Sequence, residues 1–149
     1  CIIQTHRDPA QVMVSVSSLY YALHALGCDS ETPQRVGKIQ TENWARHLAK
    51  GMQFRHKMAS QPAQFVDVYF EELLVNPVAC VEKIYLHFGM PWSEALKATM
   101  DAFMMQNARD KHGKHNYSAA MFGLEESKLD EVFSDYRQFF SIQKNTGSK

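Results

Sequence analysis

The chain has 149 residues, of which 45% are hydrophobic, and its sixteen Lys and Arg are balanced by sixteen Asp and Glu. This length fits one domain of ordinary globular composition, so we expect neither disorder nor coiled-coil repeats to dominate. Balanced charge excludes the overall basic field that holds nucleic acid or an anionic membrane. No apolar run reaches the roughly 18–20 residues of a transmembrane helix, and no signal peptide is visible. Three widely spaced cysteines, Cys1, Cys28 and Cys80, favour buried thiols in a reducing compartment and predict a cytoplasmic protein.

The first predicted element is a strand at residues 1–5, where an apolar run is typical of a buried strand. A second strand is predicted at 64–70, and its central Asp67 requires an Arg or a backbone donor as partner. Strands that alternate with helices indicate a parallel α/β sheet. Two strands do not form an independently stable sheet. We therefore expect residues 1–149 to be one partial domain, the C-terminal and mostly helical part of a larger α/β domain. The alternative is a self-contained helical domain with a vestigial strand pair.

The helices are predicted from capping residues and apolar spacing. Asp8 caps the first helix, Pro9 suits its first position, and Gly27 ends it. Its predicted apolar stripe consists of Val12, Val16, Leu19, Leu23 and Leu26. Further helices are predicted from Thr32 to Gln61, from Asn76 to Gly89, from about Ser93 to Asn107, and from about Glu125 to Phe140. Residues 109–123 are predicted to form a loop, and 143–149 a frayed tail.

Some side chains permit either a structural or a functional interpretation. The Met and Phe residues of the fourth predicted helix either pack in the core or line a substrate or adenine pocket. Their helical spacing favours packing in the core. They are Met100, Phe103, Met104 and Met105. Trp44 packs in the core or faces an acceptor, and we again expect core. His112 and His115 lack a third ligand at a recognisable spacing, so no metal is predicted.

The most informative segment for chemistry is Thr5-His6-Arg7-Asp8-Pro9, followed by Ser15 eight residues after Arg7. A strand, an Arg and a capped helix form a favourable arrangement for an anion. The helix start offers N–H groups and a partial positive charge, and Arg adds a planar fork of donors for phosphate. The alternative for Arg7 is a surface salt bridge.

These residues resemble a known family. Arg7-Asp8-Pro9 with Ser15 is similar to the 3′-phosphate-binding motif of sulfotransferases that use 3′-phosphoadenosine 5′-phosphosulfate (PAPS). The resemblance continues, in the family's order, through residues 69–73, 76–77 and 81–89, and it covers roughly residues 1–140. The segment from Lys111 to Tyr117, with Phe122-Gly123-Leu124, resembles the bacterial branch of these enzymes.

The resemblance implies a P-loop-kinase-like, three-layer α/β/α fold and transfer of a sulfuryl group from PAPS to a hydroxyl or amine acceptor. Arg7 and Ser15 would anchor the 3′-phosphate, Phe70 would support the adenine, and Lys111, His112 and Gly113 would close over the phosphate. The resemblance does not identify a catalytic base. A small molecule, carbohydrate or lipid would be the acceptor, and a second copy of the chain is a further candidate partner at the sheet edge.

Two departures from the family pattern concern the nucleotide. Relatives commonly have Tyr where this chain has Phe70, so the aromatic face is kept but the hydroxyl is lost unless Tyr69 replaces it. The Arg-Lys-Gly loop of animal members corresponds to Lys111-His112-Gly113, with Arg109 nearby. The family's phosphosulfate loop and usual catalytic His would precede Cys1, so we expect these 149 residues alone to be inactive. The rival interpretation is a helical binding or regulatory module without a nucleotide site.

Overall fold

Two parallel strands form the sheet in the computed structural model, which describes residues 1–24, 27, 32–107 and 118–144. Strand β1 (Ile2–His6) pairs with β2 (Phe65–Tyr69) in a register that places His6 opposite Tyr69. The rest of the described chain is mostly helical, so the predicted α/β class with about two parallel strands is confirmed. The expected burial holds for β2 but is wrong for β1, whose Ile2 and Ile3 are exposed although its last residue, His6, is buried.

One compact unit of the chain contains the sheet and is formed by Cys1–His6 and Ser60–His115. A 3₁₀ helix (Pro62–Gln64) precedes β2, and α3 (Phe70–Val75), α4 (Pro77–His87) and α5 (Glu94–Gln106) follow it. The predicted limits of α4 are confirmed. Its cap Asn76 accepts the backbone N–H of Ala79 at 3.0 Å, and Gly89 has a φ of +62° just beyond its end. Helix α3 was not predicted, since the second strand was expected to continue through Phe70.

The second compact unit comprises Arg7–Ala59 and Asn116–Lys149. It contains α1 (Pro9–His24), α2 (Pro33–Lys57), a 3₁₀ helix (Ala119–Phe122), α6 (Glu126–Val132) and α7 (Ser134–Phe139). Its buried core consists of Met13, Phe122, Leu124, Leu129 and Phe133. That the chain forms a single partial domain stays a prediction. No helix in the described ranges is both long and apolar enough to cross a bilayer.

Helix α1 buries a different face from the predicted one. Leu19 and Leu23 of the predicted stripe are 59% and 55% exposed, whereas Met13 and Ser17 are buried. Helix α1 packs against α2. Leu26 lies outside the described residues. Apolar spacing therefore predicted that α1 is a helix but not which face it buries.

The last predicted helix is divided in two. Helix α6 ends at Val132 and α7 begins at Ser134, with Phe133 between them at φ −106° and ψ 11°. Phe133 is buried in the core of its unit. The predicted tail begins with residues 143 and 144, which have no regular structure. Residues 145–149 lie outside the described part of the chain.

The cysteines differ in burial. Cys80 is buried, as expected, and Cys1 is exposed, contrary to expectation. Burial raises the pKa of the Cys80 thiol, and the nearby Glu72 carboxylate raises it further, while Lys83 opposes both effects. Cys28 lies outside the described residues. The structure thus shows one shielded thiol, in α4.

Candidate anion-binding site at the start of helix α1

The predicted anion site is the turn that joins β1 to α1. Strand β1 ends at His6, and α1 begins at Pro9 after Arg7 and Asp8. The Asp8 side chain accepts the backbone N–H of Ala10 at 3.1 Å, which confirms Asp8 as the helix cap. Its backbone carbonyl accepts the next two amides, at 3.1 and 3.3 Å. Pro9 has no N–H, and the amides of the next three residues all bond to Asp8. The expectation that the first-turn amides of α1 are free for an anion is therefore wrong.

Arg7 and Ser15 are both exposed at this end of the second unit. Ser15 lies six residues after Pro9, which corresponds to about 9 Å along the helix axis. Its helical neighbours Met13 and Ser17 are buried, so Ser15 lies on the side of α1 that faces away from the core. Both side chains are therefore accessible to a ligand, although their proposed contact with a phosphate stays a prediction.

A buried ion pair lies directly beneath this turn. Arg137 of α7 donates from Nε to Oδ1 of Asp8 at 2.8 Å, and the two side chains are 11% and 3% exposed. Nη2 of Arg137 also lies 2.9 Å from Oδ1 of Asp130 in α6. Asp130 in turn bonds Lys144, which lies 3.4 Å from Glu126. This network was not predicted, because Asp8 and Arg137 lie too far apart in the sequence for their spacing to reveal the pair.

The outer part of the network changes two ionisation equilibria. The hydrogen bond from Lys144 lowers the pKa of Asp130, although partial desolvation opposes it, and Arg137 contributes in the same direction as Lys144. The same bond raises the pKa of Lys144, with a smaller contribution from Glu126. Each shift favours the charged form of its group, so both residues remain ionised over a wider pH range.

In the first unit, a second polar pair links the end of β1 to the middle of β2. Nε2 of His6 lies 2.9 Å from Oδ1 of Asp67, and the His6 ring lies 5.4 Å from that of Tyr69. His6 is one partner of Asp67, whose need for a partner was predicted. His6 is 1% exposed. Tyr69 immediately precedes Phe70, the predicted adenine contact, which is half-buried at the start of α3.

The remaining predicted site residues fall into two groups. Lys111, His112 and Gly113 lie outside the described residues, as does His115. Within the described ranges, no group of three or more His, Cys, Asp or Glu residues is suited to hold a metal ion. The structure therefore describes three of the predicted nucleotide contacts, Arg7, Ser15 and Phe70.

The interpretation of the α5 side chains as core is wrong. Helix α5 has no buried residue, and Phe103 and Met105 are 63% and 85% exposed. An open groove of about 420 Å³ instead runs between α4 and α5, lined by Val81 and Met100 among others. Trp44 on α2 is also exposed rather than in the core. The alternatives, a substrate or adenine pocket for the α5 side chains and an acceptor contact for Trp44, stay predictions.

Comparison with known proteins places this fold among the sulfotransferases. The model of the sulfotransferase family described as Sulfotransfer_3 matches residues 1–94. The chain thus belongs to the sulfotransferase family, and the predicted resemblance is confirmed. No curated protein sequence matches the chain.

Two solved structures have the same fold. Sulfotransferase STF9 from Mycobacterium avium superposes with a TM-score of 0.82 and 20% identity, over 95% of this chain and 36% of that one. Sulfotransferase STF1 from Mycobacterium tuberculosis superposes with a TM-score of 0.69 and 29% identity, over 89% of this chain and 33% of that one. The chain therefore spans about a third of the length of these structures.

Proposed function

We propose that this protein transfers a sulfuryl group from PAPS to a hydroxyl or amine acceptor, and that Arg7 and Ser15 hold the 3′-phosphate of the nucleotide. The observation that carries the proposal is the exposed Arg7 between a parallel strand and a capped helix, in a chain of the sulfotransferase family. Open α/β sheets bind ligands at the carboxyl ends of their strands, and Arg7 directly follows that end of β1.

The anion is held mainly by side chains in this proposal. The first-turn amides of α1 already bond to Asp8, so they contribute the positive end of the helix dipole but no free N–H. The Arg7 guanidinium supplies a two-pronged set of donors that matches phosphate oxygens, and the Ser15 hydroxyl supplies one more. For both side chains to reach one phosphate group, the long Arg7 side chain must extend along the first turns of α1 toward Ser15.

The chemistry of sulfuryl transfer resembles phosphoryl transfer, in which catalysis consists of positioning and of stabilising charge on the equatorial oxygens. In this scheme Arg7 and Ser15 hold the nucleotide so that its sulfate is presented to the acceptor. Phe70 supports the adenine ring, and Lys111 to Gly113 cover the 3′-phosphate. We assign no general base, and the acceptor is left as a hydroxyl or amine compound.

The test is nucleotide binding by calorimetry in the full-length protein. A charge-assisted hydrogen bond contributes about 1.5–3 kcal/mol, so Arg7→Ala is expected to weaken adenosine 3′,5′-bisphosphate binding by roughly one to two orders of magnitude. Ser15→Ala is expected to weaken it about tenfold or less. Arg7→Lys should recover only part of the affinity, since a point charge lacks the planar fork.

Adenosine 5′-phosphate is the control ligand, because it lacks the 3′ group. Its weaker binding should hardly change with either substitution. Equal losses for both nucleotides would show that Arg7 supports the fold, and the phosphate-anchor role would then be withdrawn. PAPS turnover by the unsubstituted protein, followed with a radiolabelled donor and a panel of acceptors, tests the reaction itself.

A further inference from the structure

We propose that Arg137 is a positioning residue for the phosphate site, which it serves by orienting and neutralising the Asp8 carboxylate beside Arg7. The proposal rests on the proposed function, since it assumes that an anion binds at the start of α1. Arg137 lies in α7, outside the residues 1–94 that the family model matches. It would act through Asp8 and not through contact with the nucleotide.

The Asp8 carboxylate is held in place by two hydrogen bonds. A single oxygen, Oδ1, accepts both the Ala10 N–H at 3.1 Å and the Arg137 Nε–H at 2.8 Å. These two donors come from α1 and α7, so they hold the carboxylate in one orientation. Arg137 is itself held by Asp130, 2.9 Å from its Nη2. The turn that begins with Arg7 is therefore anchored to the C-terminal helices of its unit.

The negative charge of Asp8 would oppose the binding of an anion at the start of α1. An acidic cap stabilises a helix, but its negative charge lies at the helix end that would otherwise attract a phosphate. Asp8 is almost fully buried and adjacent to Arg7, where water screens its charge weakly. The buried guanidinium of Arg137 compensates that charge. The start of α1 can thus keep its cap and still accept an anion.

The connection of Arg137 to Asp130 does not cancel this compensation. Lys144 bonds the same Asp130 carboxylate, so the network alternates in sign from Asp8 through Arg137 and Asp130 to Lys144. Each acidic group of the network has a basic partner, and the basic group of the network that pairs directly with Asp8 is Arg137. Removing Arg137 would leave Asp8 buried and unpaired, which is the costly way to disrupt a buried ion pair.

The experiment compares Arg137→Met, Asp8→Asn and the double variant in the full-length protein. Calorimetry measures binding of adenosine 3′,5′-bisphosphate and of adenosine 5′-phosphate, and thermal unfolding measures stability. Arg137→Met is expected to weaken binding of the bisphosphate about tenfold, through repulsion from the uncompensated carboxylate, and to change binding of the monophosphate much less. The double variant, which removes both charges, should recover most of this loss.

Lys128→Met is the matched control, since Lys128 also pairs with an acidic residue but is 69% exposed. It should change neither affinity. A merely structural role for Arg137 would lower the unfolding temperature without altering the ratio of the two affinities, and that result would overturn the proposal. Unchanged bisphosphate binding by folded Arg137→Met would overturn it as well.

The proposed function and this inference fail in different ways. If Arg7→Ala weakens binding of both nucleotides equally, the proposed phosphate site is wrong and this inference falls with it. If Arg7→Ala weakens binding of the bisphosphate selectively but Arg137→Met weakens binding of both nucleotides equally, only this inference is wrong. Should Arg137→Met not fold, Asp8→Asn carries the test. It keeps an oxygen for the cap and loses the charge, so it should bind the bisphosphate at least as tightly as the unsubstituted protein, and a tenfold loss would overturn the proposal.

Discussion

Gly37 lies at a close approach between α2 and the 3₁₀ helix of the second unit. A Cβ built on Gly37 would lie 2.2 Å from the backbone carbonyl oxygen of Phe122, far closer than van der Waals contact. Phe122 belongs to the buried core and to the 3₁₀ helix that packs on α2. Helix α2 continues through this position. The absence of a side chain at Gly37 therefore allows the backbone of Phe122 to approach α2 closely.

We expect Gly37→Ala to destabilise the protein by about 1–3 kcal/mol or more, because the new methyl group meets backbone that cannot move away easily. Gly51→Ala is the matched control in the same helix, where a Cβ would meet nothing within 4 Å. It should instead stabilise by up to about 1 kcal/mol, since Ala is the better helix former. Urea unfolding measures both, and equal effects of the two substitutions would contradict this account.

His6 and Asp67 show how a residue acquires a role that its sequence context does not reveal. Each lies on its own strand and they are 61 positions apart, yet the parallel pairing brings their side chains to 2.9 Å. His6 is buried and directly precedes Arg7. An Asp in an apolar strand indicates that a partner exists. The register places Gln4 opposite Asp67, and only the three-dimensional structure shows that His6, two residues further along β1, reaches the carboxylate.

At the scale of elements, local signals predicted most helix limits correctly. Thr32, Asn76 and Ser93 each cap a helix by accepting an amide hydrogen from three residues further along. Such caps depend on neighbouring residues only, and so they can be recognised in the sequence. The break at Phe133 has no comparable signal. We attribute it to burial of the Phe133 ring in the core between α6 and α7.

The stability that the ion pairs of Asp130 give to the contact between α6 and α7 should depend on pH. Its pKa is lowered chiefly by the hydrogen bond from Lys144 and also by Arg137, whose other partner is Asp8. A lowered native pKa means that Asp130 stabilises the fold above the ordinary carboxyl pKa of about 3.9, and that this stabilisation is lost as pH falls through the lowered value. Asp130→Asn should therefore reduce the free energy of unfolding near neutral pH and have a diminishing effect in acid.

Urea unfolding at several pH values from about pH 7 to about pH 2, well below the ordinary carboxyl pKa, measures this difference. Glu125→Gln is the control, because Glu125 pairs with Lys128 on the exposed surface of the same region. Exposed pairs contribute little to stability, so this variant should remain close to the unsubstituted protein throughout. A destabilisation by Asp130→Asn that stays constant down to the most acidic condition would argue against the ionised network.

At the scale of the whole molecule, the chain spans about a third of the two mycobacterial sulfotransferases that share its fold. The prediction that these 149 residues alone do not transfer sulfate stays a prediction. Its physical reason is that transfer requires donors at the bridging and equatorial oxygens of the donor group, and the sequence contains no segment that resembles the family's phosphosulfate loop. Radiolabelled PAPS with a panel of acceptors provides the assay, and turnover by a purified 149-residue chain would contradict the prediction.

The sequence by itself determined the class of fold, the strand-to-helix turn that contains Arg7, most helix limits and membership of the sulfotransferase family. These follow from caps, turns and motifs whose residues are close together along the chain. Only the tertiary structure decided that α1 buries Met13 in place of Leu19, and that Arg137 neutralises Asp8 from 129 positions away. Burial and ion pairing depend on which elements meet in space. A local pattern of apolar or charged residues is compatible with several such arrangements, and packing selects one of them.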